Sequence, residues 1–263
     1  MKPGQLFALP TLSWRTMEVW RRNAKVFMKT YRVNFIPPVV EPILYLAALG
    51  FGLGTFVKSI EGVQYARWIA PGLIGITIMS SAFFECTYAS FVRMYYQRTF
   101  DAIIATPLNV DEVIIGEILW GATRSVISTS IMLAVITVFG LASYPFALLA
   151  IPLAFVGGLL FATLGMCFTA VTPRIDSLNY PTSLFITPMF LVSNTFFPLS
   201  SLPSGVQTFA NSVVPLVQVV DISRALTLGR LEFSLVLNLL WILVVTGVFL
   251  LVAVNLMKKR LIV

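Results

Sequence analysis

The sequence predicts an all-α integral membrane protein. It has six transmembrane helices, an N-terminal amphipathic helix lying in the interface, and short extracytoplasmic re-entrant helices. Of its 263 residues, 58% are hydrophobic and 11% charged, whereas a soluble domain carries about 25% charged residues. Mean hydropathy is +0.90. Apolar runs of roughly 20 residues, enough to cross the hydrocarbon, recur along the chain and leave no room for a soluble domain between them.

The first element covers residues 12–32. At 100° per residue, Met17, Trp20, Ala24, Phe27 and Tyr31 share one face, and Arg15, Arg22, Lys25 and Lys29 take the other. That helix is too charged to span, and is expected to lie at headgroup level with its aromatics in lipid. The first 30 residues carry seven charges and no compact apolar stretch, unlike a signal peptide.

Residues 1–32 therefore form a cytoplasmic interfacial segment, 33–257 a six-span domain and 258–263 a cytoplasmic tail. The spans are expected near 33–56, 68–91, 113–140, 146–171, 178–198 and 235–257. The fourth and sixth carry no charge and are expected to face lipid. Between the fifth and sixth, Val206–Val220 is apolar, too short to cross and broken by Pro215, which suits a re-entrant or interfacial helical pair.

Orientation follows from Lys and Arg. With both termini cytoplasmic, the inside holds Lys2, Arg15, Arg21, Arg22, Lys25, Lys29, Arg32, Arg93, Arg98, Arg174, Lys258, Lys259 and Arg260. The outside holds Lys58, Arg67, Arg224 and Arg230. The net charge of +7 therefore reads as cations flanking spans at the membrane lipids, and no nucleic-acid partner is expected.

The cytoplasmic loop at 93–112 is the most informative stretch. Phe100, Ile103 and Ile104 share one helical face. Pro107 disfavours helix at Thr106, and Asn109 with Glu112 forms a capping-box pattern that opens the next helix. A short helix, a turn and a restart present an apolar knob. Such a knob suits either a groove on a soluble partner or the membrane surface.

The segment FFECTYASFVRMYYQRTFDAIIATPLNVDEVIIGEILWGATRS resembles the membrane subunit of type-two ABC exporters, in the branch of nodulation-factor exporter permeases (NodJ-like). TAVTPRIDSLNYPTSLFITPMFLVSNTFFPLSSLP resembles that family's fifth-span region. The resemblance implies a permease in the bacterial cytoplasmic membrane. It would pair with a second copy of itself and with two copies of an ABC ATPase subunit, which holds the ATP and Mg. It further implies that Arg98, Phe100, Asp101, Ile103, Ile104, Thr106 and Pro107 form the ATPase-coupling interface, and that residues 202–220 are short re-entrant helices on the extracytoplasmic side. The cargo would be a lipid-linked saccharide or another amphipathic substrate; drug and lipid export are the alternatives within the family.

Charges inside apolar runs cost about 2.5–3.5 kcal/mol at the bilayer centre, so they face partners, cavities or the interface. Glu117 and Arg124 share a face and are candidates for intramembrane pairing, although roughly 10 Å of helical rise separates them. Glu85, Tyr88, Asn179, Thr187 and Asn194 are candidates for a substrate path, and such charges can equally fix helix packing. The first, second and fifth spans, with Pro42 and Pro188 as points of bending, are expected to build the dimer interface and path.

The chain has no G-x-x-x-x-G-K-S/T phosphate loop and no histidine, the commonest general base. Cys86 and Cys167 lie in separate apolar runs. No catalytic residue, metal site or cofactor is therefore expected on this chain, and energy must come from a partner. A secondary transporter remains the alternative in another energetic class, but it would show interrupted spans at related positions in two halves.

Overall fold

The computed structural model describes residues 9–261 except Leu12, Lys58 and Leu231. Lys2 and Lys58 of the cation tally, and the last two tail residues, lie outside the described residues. The chain opens with α1 (Thr16–Lys29) and α2 (Tyr31–Tyr45), and α2 continues through tighter and wider turns to Thr55. A short hairpin of β1 (Ser59–Ile60) and β2 (Val63–Gln64) turns at Glu61 and Gly62, both at positive φ. Then follow α3 (Tyr65–Phe84), running on through π-helical turns to Tyr96, α4 (Thr99–Ile104), α5 (Val110–Val138) and α6 (Ala150–Val171). Short pieces α7 (Asn179–Pro181) and α8 (Thr187–Leu191) precede α9 (Ser204–Val213), α10 (Pro215–Leu228) and the final α11 (Ser234–Leu261).

Among the described residues, five helices are long and apolar enough to cross a membrane: Asn34–Thr55, Tyr65–Tyr96, Val110–Val138, Phe146–Val171 and Ser234–Leu261. They match five of the expected spans within a few residues. The sixth, expected at 178–198, is only a short helical run from 175 to 191. Beyond Leu191 the chain leaves the helix, and Asn194 takes a left-handed φ of 61°. The pair at 202–220 is helical and breaks where expected, with Pro215 at the first position of α10, where its missing N–H costs nothing.

At the centre α3, α5 and α6 pack on one another. Hydroxyls cross between them: Ser125 Oγ donates to the Ile78 carbonyl at 2.8 Å and Thr169 Oγ1 to that of Cys86 at 2.7 Å. Small residues permit this approach, as is usual for helices in lipid. A Cβ at Gly158 would stand 2.9 Å from the Ser125 Cβ, and one at Gly165 2.9 Å from the Phe83 carbonyl. The expectation that the uncharged fourth span faces lipid is therefore overturned. α6 is a core helix, because its glycines and alanines bring neighbours close. α11 fits the expectation better, with Val236, Leu240 and Val244 exposed.

α1 also departs from expectation. Its inward face (Thr16, Val19, Asn23, Phe27) is buried against α5 rather than lying in lipid. The Phe27 ring meets Trp120 edge-on at 5.6 Å, and Trp20 Nε1 donates to Thr123 Oγ1 at 2.9 Å.

Candidate functional site

The loop between α3 and α5 folds around Arg98, which takes a left-handed φ of 50° and turns the chain back into α4. The expected capping box forms: the Asn109 and Glu112 side chains each bond the other's backbone, with Asn109 N–H donating to Glu112 Oε2 at 2.8 Å. The apolar stripe, however, points inward. Phe100 is wholly buried in the chain's own core, and Ile103 and Ile104 are half-buried against it. The three residues expected to form an outward knob instead anchor the loop, because the nearest apolar surface is the chain's own bundle. The outward face carries Arg98, Asp101, Thr106 and Pro107 with the small side chains of Ala102 and Ala105.

Other segments grip this loop. Arg15 Nη1 donates to the Pro107 carbonyl at 2.6 Å, and Arg22 Nη2 to Thr99 Oγ1 at 3.3 Å. Asp111, at the start of α5 and 1% exposed, accepts from the Thr11 N–H at 2.8 Å and pairs with Lys258 Nζ at 2.8 Å. The amphipathic helix, the loop and the last helix thus meet in one platform.

Beside the platform lies a buried ionic cluster. Arg93 reaches Glu117 at 2.6 Å and Glu85 at 2.8 Å. Glu117 is fully buried and also accepts from Asn23 Nδ2 at 2.7 Å and Ser90 Oγ at 2.8 Å. Glu85 further accepts from Trp120 Nε1 at 3.0 Å and lies 3.4 Å from Arg124 Nε. Glu117 and Arg124 therefore do not pair with each other. Helical rise separates them, and each takes a partner on α3. The π-helical turns at Glu85–Ala89 and Val92–Tyr96 re-aim the face of α3, so that Glu85, Ser90 and Arg93 converge.

Asn23 and Arg93 tie this cluster together and are not among the expected site residues. Asn23 left a signal: it interrupts the apolar stripe of α1 midway between Val19 and Phe27. Arg93 left another, two turns after Glu85.

The cluster forms one wall of a cavity of about 460 Å³ between α1, α3 and α5. A second cavity of about 440 Å³ adjoins it, and Asn34, Glu85, Tyr88, Ala89 and Arg124 line both. Of the path candidates, Glu85 and Tyr88 face this groove, and the Tyr88 hydroxyl donates to Asn179 Oδ1 at 2.8 Å. Thr187 is exposed on α8, its hydroxyl bonded to the Thr182 carbonyl. In α1, outside the spans, burial pushes the Arg22 guanidinium below its usual range; nearby Glu117 offsets this and Arg93 adds to it.

Asn194 belongs to a different place. Its Nδ2 donates to Asp221 Oδ1 at 2.9 Å, and its carbonyl accepts from Arg224, which lies over the Trp68 ring at 4.1 Å. These residues line a separate cavity of about 380 Å³. Burial there pushes the Asp221 carboxyl up, against the pull of Asn194 and Arg224, and lowers Arg224 to about 10.

Residues 15–228 match the model of the ABC-2 type transporter membrane family. The chain is 33% identical to nodulation protein J of Sinorhizobium fredii over 255 residues, covering 96% of each chain. It is 35% identical to nodulation protein J of Bradyrhizobium diazoefficiens over 88% of this chain and 87% of that one. It is 24% identical to the inner membrane transport permease YadH of Escherichia coli, over 73% and 75%.

Proposed function

The chain belongs to the ABC-2 type transporter family, and on that premise we propose that it is the permease subunit of an ATP-driven exporter in the bacterial inner membrane. It would move a lipid-linked saccharide or similar amphiphile outward. Two copies would pair, and two ATPase subunits carrying ATP and Mg would dock beneath them. In this reading both termini are cytoplasmic, the run from 175 to 191 completes a sixth crossing, and α9 with α10 re-enters from the outer side.

The observation that carries the reading is the clamped loop. Arg22 of α1 bonds Thr99 at the start of α4, Arg15 bonds Pro107 in the turn that follows, and Asp111 at the start of α5 pairs with Lys258 of α11; the loop so clamped adjoins the ionic cluster that walls the groove. A push on its outward face has a rigid route to the groove between α1 and α3. The nodulation and YadH relatives agree with a permease role, and the nodulation-factor branch favours a lipo-oligosaccharide cargo.

The test is reconstitution with the cognate ATPase. The permease alone should hydrolyse no ATP, and its presence should alter the ATPase's turnover. Ala102→Glu on the outward face should abolish that effect without loss of folded permease. Steady hydrolysis by the isolated chain, or export driven by an ion gradient without the ATPase, would sink the reading. For the pairing, cysteine at Thr187 should cross-link between copies and block export. For topology, cysteine at Ser204, on a background lacking Cys86 and Cys167, should react with an impermeant reagent in intact cells.

A further inference from the structure

The groove has a chemical polarity that the export reading does not require. Three guanidiniums, those of Arg22, Arg93 and Arg124, line the cavity between α1, α3 and α5, and a single carboxylate, Glu85, lines it with them. Glu117 stands behind that wall, fully buried, its oxygens taken by Arg93, Ser90 and Asn23. Glu85 is divided between Arg93, Arg124 and Trp120.

Two of the three cations are left short. Arg124 reaches Glu85 only through Nε at 3.4 Å and lies over the Phe27 ring at 4.5 Å, while among the described residues its buried Nη1 has no hydrogen-bond partner. Among the described residues Arg22 pairs with no carboxylate and bonds only Asn23 and Thr99. A partly buried guanidinium that lacks a close carboxylate is poorly compensated, and its planar edge is suited to bidentate recognition of phosphate or carboxylate. Three guanidiniums thus meet two carboxylates, Glu85 and Glu117, which leaves one positive charge unmatched at this wall.

We propose that this cavity binds the anionic head group, phosphate or carboxylate, of an amphiphile in the cytoplasmic leaflet. Its volume of about 460 Å³ exceeds what a phosphate head fills. The adjoining cavity, walled in part by Pro37, Pro42, Ile76 and Phe84, gives the attached chain a path. Glu41 lines only that second cavity, which keeps a negative head in the first. Arg22 lies on α1 with Lys25 and Lys29, both exposed, and cations on an interfacial helix attract lipid phosphates. The head group has two sources, the leaflet's own anionic lipid or the cargo. Only the choice between them rests on the export reading.

The test measures binding of acyl-labelled phosphatidylglycerol and phosphatidylcholine of matched chains to the full chain in detergent, by fluorescence anisotropy. The expected preference for phosphatidylglycerol is about tenfold, the scale of one charge-assisted hydrogen bond. Arg22→Gln and Arg124→Gln should each remove most of it. Because Arg124→Gln disturbs an ion pair, Ala89→Trp serves as a second variant. It fills the shared wall without altering charge, and it should weaken binding of both lipids.

Competition by inorganic phosphate would show that the head alone is recognised; its absence would show that the chain contributes, and either result keeps the site. With the ATPase in vesicles, labelled phosphatidylglycerol that crosses on ATP addition is cargo, whereas lipid that stays bound is resident. Equal affinity for the two lipids, or a preference untouched by both arginine variants, overturns the proposal. A chain that binds anionic lipid but leaves ATP turnover unchanged would instead refute the export reading and leave the site standing.

Discussion

Two charged clusters bracket this bundle, and they are built differently. On the side of α4, Glu117 is fully buried and accepts from Arg93, Asn23 and Ser90. On the side of α10, Asp221 keeps 32% of its side chain exposed, lies 3.9 Å from Arg224 and has one close bond, from Asn194. The first joins α1, α3 and α5. The second joins α10 to the bend at Asn194 and, through the Trp68 ring, to α3. Saturation of a buried carboxylate makes a joint rigid, whereas a carboxylate with a distant cation and fewer close bonds makes a looser one. The tight cluster lies beside the loop proposed to receive a push, and the loose one lies on α10, proposed to re-enter from the outer side.

The largest test of this contrast is Glu117→Ala. It leaves Arg93 buried with half its counter-charge, and should cost about 3–5 kcal/mol, read as a lowered midpoint of thermal unfolding in detergent. Asp221→Ala should cost distinctly less, and equal losses would erase the difference. Next in size is Asn23→Leu. It removes a hydrogen bond to a charged group, worth about 1.5–3 kcal/mol, and should free α1 from α5, seen as faster proteolysis near residues 13–23. If α1 stays protected, the aromatic contacts of Phe27 and Trp20 hold it without the ionic cluster.

The smallest effect is in pH. Burial raises the Asp221 carboxyl above its ordinary value of about 4, so the folded chain holds that proton more tightly than the unfolded one. The stability this contributes is fully present below the ordinary value and is lost as pH rises through the raised one. Asp221→Asn should flatten that decline, measured as the difference in unfolding midpoint from the parent chain between acid and neutral pH. An unchanged profile would place Asp221 in an environment as wet as the unfolded state.

Features set by local chemistry were legible in the sequence. Five apolar runs became helices close to their expected limits. Asn109 and Glu112 capped α5, and Pro215 opened α10. These follow from length, caps and proline, each acting within a turn or two. What escaped depended on neighbours distant in the chain. The stripe of Phe100, Ile103 and Ile104 was visible, but not that its apolar surroundings would be the permease itself. The uncharged α6 read as lipid-facing because an apolar residue is equally content against lipid or another helix. Only its small residues, Gly157, Gly158 and Gly165, hinted at close packing. Of the path candidates, Glu85, Tyr88 and Asn179 meet in space. Asn194 lies in the other cluster, because the helix ends before it.

The grip on Asp111 carries a consequence for biogenesis. That carboxylate emerges from the ribosome long before Lys258, which sits 147 positions later. Until the last helix is threaded into the bilayer, the start of α5 holds a carboxylate whose cation has not yet been made. The contact that closes the platform therefore forms only once α11 has been made, and a nascent copy stalled before α11 offers an ATPase an unfinished surface.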